Sequence, residues 1–130
     1  MKPRHKLVVA AFLSVLYAYA VHAQELPPNL KKLKDGIYVY VGTNFNSNCG
    51  IVLTQEGVVL IGSGHNPTDS RAILDAVKKL SPLPIRFLLH TEPHPDHTTG
   101  HFVFSPPATI VAYQGATESM VSREKETPGR

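Results

Sequence analysis

Cysteine is nearly absent from this chain: Cys49 stands alone among 130 residues. That excludes an intrachain disulfide scaffold and any zinc finger built on paired cysteines. Tryptophan is missing, and no internal repeat is visible, which argues against a solenoid or propeller. A basic cluster is also missing. The formal charge of +3 comes from Lys2, Arg4 and Lys6 in a leader without acids; the rest holds ten basic and ten acidic side chains. A neutral chain without a basic patch has no electrostatic footprint for nucleic acid. What remains, 42% hydrophobic and 18% charged with 9 Gly and 11 Pro, is ordinary for one small globular domain.

The longest apolar run is Leu7–Ala20, in which 13 of 14 residues are apolar. It follows a short basic stretch and precedes Val21-His22-Ala23, small residues at the positions a signal peptidase reads. A spanning helix needs about 20 apolar residues, so residues 1–23 read as a cleaved secretory signal and not as a stable membrane anchor. Cleavage after Ala23 puts the mature chain, starting at Gln24, in the periplasm or outside the cell.

Residues 24–35 carry Pro27-Pro28 and read as an extended lead-in. Strands are expected over 36–41, 51–54, 58–61, 85–89 and 109–113, where β-branched and aromatic residues concentrate. The continuous run Val58–Ile61 suits a strand covered on both faces. Pro67 sits where a helix could start, with Asn66 as its cap. The apolar stripe Ala72, Ile73, Ala76, Val77 and Leu80 gives that helix one core-facing side. A second helix is expected over 115–126, and residues 122–130 read as a polar tail. Strands interleaved with helices make the fold class α/β.

The informative segment is 90–101. It holds four of the chain's seven histidines, with Glu92, Asp96 and two prolines. Each proline fixes its own φ and drives the preceding residue extended. An extended run points Glu92, His94 and Asp96 to one side, and His97 can then open a helical turn. Oxygen and nitrogen donors gathered at a strand end suit zinc, and also iron or manganese.

Thr91-Glu92-Pro93-His94-Pro95-Asp96-His97-Thr98-Thr99-Gly100 resembles the metal motif T-H-x-H-x-D-H-x-G-G of the metallo-β-lactamase superfamily. The run from Asn48 to Ile61 resembles that family's opening hairpin, Gly62-Ser63-Gly64 falls where it has Asp-Thr-Gly, and 108–120 resembles its next strand and helix. The likeness covers residues 36–121. It implies half of an αββα sandwich, with His94 as a ligand of a first zinc and Asp96 and His97 as ligands of a second. Asp96 would also orient the attacking hydroxide. The implied reaction is hydrolysis of a small-molecule ester, thioester, amide or β-lactam, a bound zinc lowering the pKa of water to about 7.

Three features depart from the pattern. Glu92 stands at the first histidine. Gly62 replaces an aspartate that supports the metal site. The family's later ligands, two histidines and a bridging aspartate, have no counterpart, since no histidine follows His101. The expectation is therefore an N-terminal half, with Glu92, His94, Asp96 and His97 holding one or two ions, and a bare sheet face prone to self-association. The rival readings are a non-catalytic remnant and a periplasmic metal-binding module. Among the other residues, His65 could approach the metal loop and His90 could supply a further donor. His101 and Cys49 read as structural.

Overall fold

The computed structural model describes residues 26–43 and 47–126. The expected signal sequence and the end of the expected polar tail lie outside them. Among the described residues, no helix is long and apolar enough to cross a membrane.

Six strands form one sheet in chain order: β1 (Leu30–Lys34), β2 (Ile37–Tyr40), β3 (Cys49–Leu53), β4 (Val58–Ile61), β5 (Ile85–His90) and β6 (Thr109–Ala112). The first four run as an antiparallel meander. The connection from β4 to β5 passes through helix α1 (Pro67–Leu80), so β4, β5 and β6 are parallel. A four-residue turn of helix, α2 (Pro95–Thr98), and a short 3-10 helix (His101–Val103) lie between β5 and β6; α3 (Gln114–Glu126) closes the described chain.

Helix α1 begins where its sequence asks. Pro67 opens it, and the Asn66 side chain accepts from the Thr68 and Asp69 amides at 2.9 and 3.0 Å. Such a cap contributes about 1 kcal/mol. Ile73, Ala76 and Val77 are buried in one cluster with Ile51, Leu60 and Leu88 from the central strands. Phe104, after the 3-10 helix, joins the same core.

Two expectations change. The lead-in contains a strand: Leu30–Lys34 pairs with β2 although four of its five residues are exposed. Its backbone partners hold it, since little side-chain burial does. The helix expected over 115–126 is present as Gln114–Glu126 and takes in the start of the polar tail. The second change concerns β4. Val58 and Leu60 are buried, but Val59 is half-buried and Ile61 is 38% exposed. Side chains alternate across a strand, so the described residues cover only one face of β4. The register puts Phe87 beside Val59, and Leu89 beside Ile61 and Val111, on the bare face.

Candidate metal centre

The carboxyl ends of β4, β5 and β6 lie at one edge of the sheet, where ligand sites of parallel sheets form. The turn after β4 and the histidine-rich loop after β5 meet there. The Gly62 amide donates to the Leu89 carbonyl at 2.9 Å. Ser63 is fully buried, and both its amide and its hydroxyl donate to the His97 carbonyl, at 3.0 and 2.9 Å. The Ser70 hydroxyl on α1 lies 2.6 Å from the Ser63 carbonyl and 2.9 Å from that of Asn66. Gly62 takes φ of +82°, which glycine adopts without strain.

Gly100 lets the loop approach this closely. A Cβ there would fall 1.8 Å from Ser70 Oγ and 2.7 Å from the Ser63 carbonyl oxygen. Two further contacts fix the loop's backbone. The Thr98 hydroxyl donates to the His94 carbonyl at 3.0 Å, and Arg123 on α3 donates to the Pro93 carbonyl at 3.1 Å. Ser63, Ser70, Thr98 and Arg123 were not singled out by sequence reasoning. Serine and threonine in loops are too common to mark, and the Ser63–His97 and Arg123–Pro93 contacts join residues 34 and 30 positions apart. The signal that could have found Ser63 is its place inside a glycine-flanked turn after a buried strand.

The loop's conformation differs from a fully extended one. His94 is extended, with φ −70° and ψ 142°, but α2 begins at Pro95. Proline forces its predecessor out of the helical region and is itself well suited to a first helical position. Asp96 therefore sits in a helical turn, and the alternation expected through it stops at His94.

Glu92 stands between the two imidazoles. One carboxylate oxygen, Oε2, contacts His94 Nδ1, and the other, Oε1, lies 3.5 Å from His97 Nε2. Asp96 Oδ2 lies 3.2 Å from the same His97 nitrogen. All four predicted residues are thus neighbours, partly open to solvent, with His94 the most exposed at 59% and His97 the least at 28%. They pair with one another. Among the described residues, no group of three or more His, Cys, Asp or Glu side chains converges as a set that could hold an ion. The donors suit a divalent cation in kind but not in number, since a catalytic zinc usually takes three protein ligands. No reaction step through a metal follows from this half site.

The other candidates fall elsewhere. His90 is buried, and its ring is tilted against that of His101, 5.7 Å between centroids. Burial, with the second imidazole beside it, holds His90 below the ordinary histidine value. His65 is half-buried two residues beyond Ser63. Cys49 is fully buried, and burial pushes its thiol up to about 12, which removes it as a nucleophile.

A single mixed sheet, helices on one face, and a His/Asp loop clamped at the strand ends define an α/β protein with the front half of a two-sheet sandwich. The metallo-β-lactamase superfamily model matches residues 42–127, more than half of the chain, and the chain belongs to that superfamily. Members generally bind metal ions, usually zinc. A linear primary-alkylsulfatase of a Pseudomonas species is 36% identical over 50 residues, 38% of this chain and 10% of that one. The metallo-β-lactamase from Hirschia baltica has the same fold at 20% identity, with a TM-score of 0.62 over 72% of this chain and 47% of that one. A B3 metallo-β-lactamase described as the first with an active-site glutamic acid is 32% identical, with a TM-score of 0.59 over 71% of this chain and 35% of that one. The chain thus spans less than half the length of these three relatives.

Proposed function

We propose that this chain supplies the N-terminal part of an exported, zinc-dependent hydrolase, with Glu92, His94, Asp96 and His97 as its share of the metal ligands. The observation that carries the reading is Glu92 seated between His94 and His97 on a backbone clamped by Ser63, Thr98 and Arg123. A carboxylate can replace an imidazole as a zinc ligand. The 32% identical B3 enzyme with an active-site glutamic acid supports Glu92 as a donor and not as a lesion. The substrates to test are esters, thioesters, amides and β-lactams; the alkylsulfatase relative adds alkyl sulfates. The remaining donors would come from a partner half of the sandwich.

Zinc per chain after dialysis, measured on the full chain and on Glu92→Ala, His94→Ala and His97→Ala, tests the ligand assignment. Retention by the wild type and loss in each variant supports it; equal zinc in all four overturns it. Hydrolysis of a substrate panel by the zinc-loaded chain tests activity, and an N-terminus at Gln24 in the exported product tests export. A second reading, a non-catalytic remnant with at most weak metal binding, is favoured by one observation: no three donors converge among the described residues. Absence of both zinc retention and hydrolysis selects it, whereas zinc retention without hydrolysis selects a metal-binding module.

A further inference from the structure

Among the described residues the molecule is incomplete in two places: one face of its sheet has no cover, and the Glu92 cluster has too few converging donors. Strand register lines that face up in rows. One row joins Val39, Gly50, Ile61, Leu89 and Val111 across β2 to β6. The row beside it includes Val52, Val59 and Phe87. Neither row carries a charge between β2 and β6. Both end on the edge strand β1 in exposed lysines, Lys31 beside Val39 and Lys34 beside Ile37. Strands about 4.8 Å apart make the uncharged part of the face about 24 Å wide. Two such faces in contact would bury on the order of 1,000 Å², where specific interfaces begin.

We propose that a second copy of this chain is the partner half: it covers the bare face with its own, strands running the same way, and brings a second Glu92 cluster to the same edge. The shared edge rests on the ligand assignment proposed above, the covered face on the register alone. A partner that completes both places needs an uncharged sheet face, with imidazole and carboxylate donors at the carboxyl ends of its strands. This chain has both. Charge selects the orientation. Identical faces meet on a two-fold axis, which runs either across the strands or along them. An axis across the strands lays β1 on β1 and sets Lys31 and Lys34 against their own copies, with no acid in either row to offset them. An axis along the strands lays β1 over β6, with Lys31 opposite Val111, and keeps the strands of both copies parallel. The carboxyl ends of β4, β5 and β6 of the two copies then share one edge, with the sheets about 10 Å apart. Glu92, His94, Asp96 and His97 are partly open to solvent there, so each set is accessible to the other.

Sedimentation velocity of the full chain, with and without zinc, tests the pairing. The wild type is expected to dimerise, and zinc to raise the association constant about tenfold or more, because shared ligands link the two equilibria. His94→Ala should dimerise without the zinc response. Ile61→Lys puts a charge at the centre of the face on an already exposed position. It should abolish dimer and zinc response together while its circular dichroism stays unchanged. Cross-linking with a short bismaleimide reads the orientation: a mixture of Lys31→Cys and Val111→Cys chains should link, and Lys31→Cys alone should not. The native Cys49 is fully buried and does not compete. The proposal is overturned if the chain stays monomeric with zinc present, if Lys31→Cys links to itself, or if zinc binds without changing the association constant. Zinc retained by a monomer removes the second copy as partner and leaves the ligand assignment standing. A cross-linked mixed pair that retains no zinc removes the ligand assignment and leaves the interface.

Discussion

Leu88 and Phe87 are consecutive residues of β5 in opposite surroundings. Leu88 is fully buried against α1 with Leu60 and Ile51, whereas Phe87 is 38% exposed on the other face with Ile61 and Val111. Both faces are apolar. What separates them is cover: the chain brings its own helices to one side and nothing to the other among the described residues. The two faces have the same kind of residue because both belong to the middle of a sandwich. Composition alone thus says where a face can pack, and topology says whether the chain itself packs it.

Core truncation gives the largest contrast. Leu88→Ala should lower stability by about 2–5 kcal/mol, because it removes fully buried side-chain atoms and leaves a cavity under α1. Urea denaturation measures it, and a loss below about 1 kcal/mol would mean that the helix layer is not a tight cover. The glycine clamp comes next. Gly100→Ala should cost about 1–3 kcal/mol, since the new Cβ would meet Ser70 Oγ and the Ser63 carbonyl and push the loop off the β4 turn. It should also weaken zinc binding while leaving the bare face unchanged. Ser63→Ala is milder. It removes one hydroxyl bond to the His97 carbonyl and keeps the amide bond at 3.0 Å, so a loss of about 1 kcal/mol is expected. If Ser63→Ala lowers zinc retention more than its stability loss explains, the serine acts by holding His97 in place.

The covered face was legible in the sequence because its signals are local. Asn66-Pro67 marks the start of α1, and the stripe Ile73, Ala76 and Val77 names its buried side; the structure places both where the residues ask. The composition of the histidine-rich segment was legible too, and Glu92, His94, Asp96 and His97 lie beside one another as pairwise contacts without converging on a common point. Its shape was not. Pro95 both extends His94 and opens α2, and only the second effect determines where Asp96 goes. The Ser63–His97 and Arg123–Pro93 bonds were invisible because they join residues 34 and 30 positions apart, and Ser70, only 7 residues from Ser63, carries no mark that sets it off from other serines. Strand β1 escaped notice for a related reason: Lys31, Lys32 and Lys34 show no burial pattern, and the pairing with β2 makes the strand.

The smallest expected change in stability comes from the bare face, and it sharpens the comparison most. Phe87→Ser alters a side chain that is already 38% exposed, so the isolated chain should change by no more than about 0.5 kcal/mol. Association should respond instead. Phe87, Ile61 and Val111 are neighbours across β4, β5 and β6 and form a contiguous apolar surface, which favours burial against another copy when no second sheet is present. Sedimentation velocity over a range of concentrations should show the wild-type chain associating and Phe87→Ser remaining smaller at the same concentration. Should Phe87→Ser unfold the chain as Leu88→Ala is expected to, the face is not bare in solution, and a layer outside the described residues must cover it. Should both chains remain monomeric and equally stable, exposure of this face carries no drive to associate, and the need for a partner half must rest on the metal ligands alone.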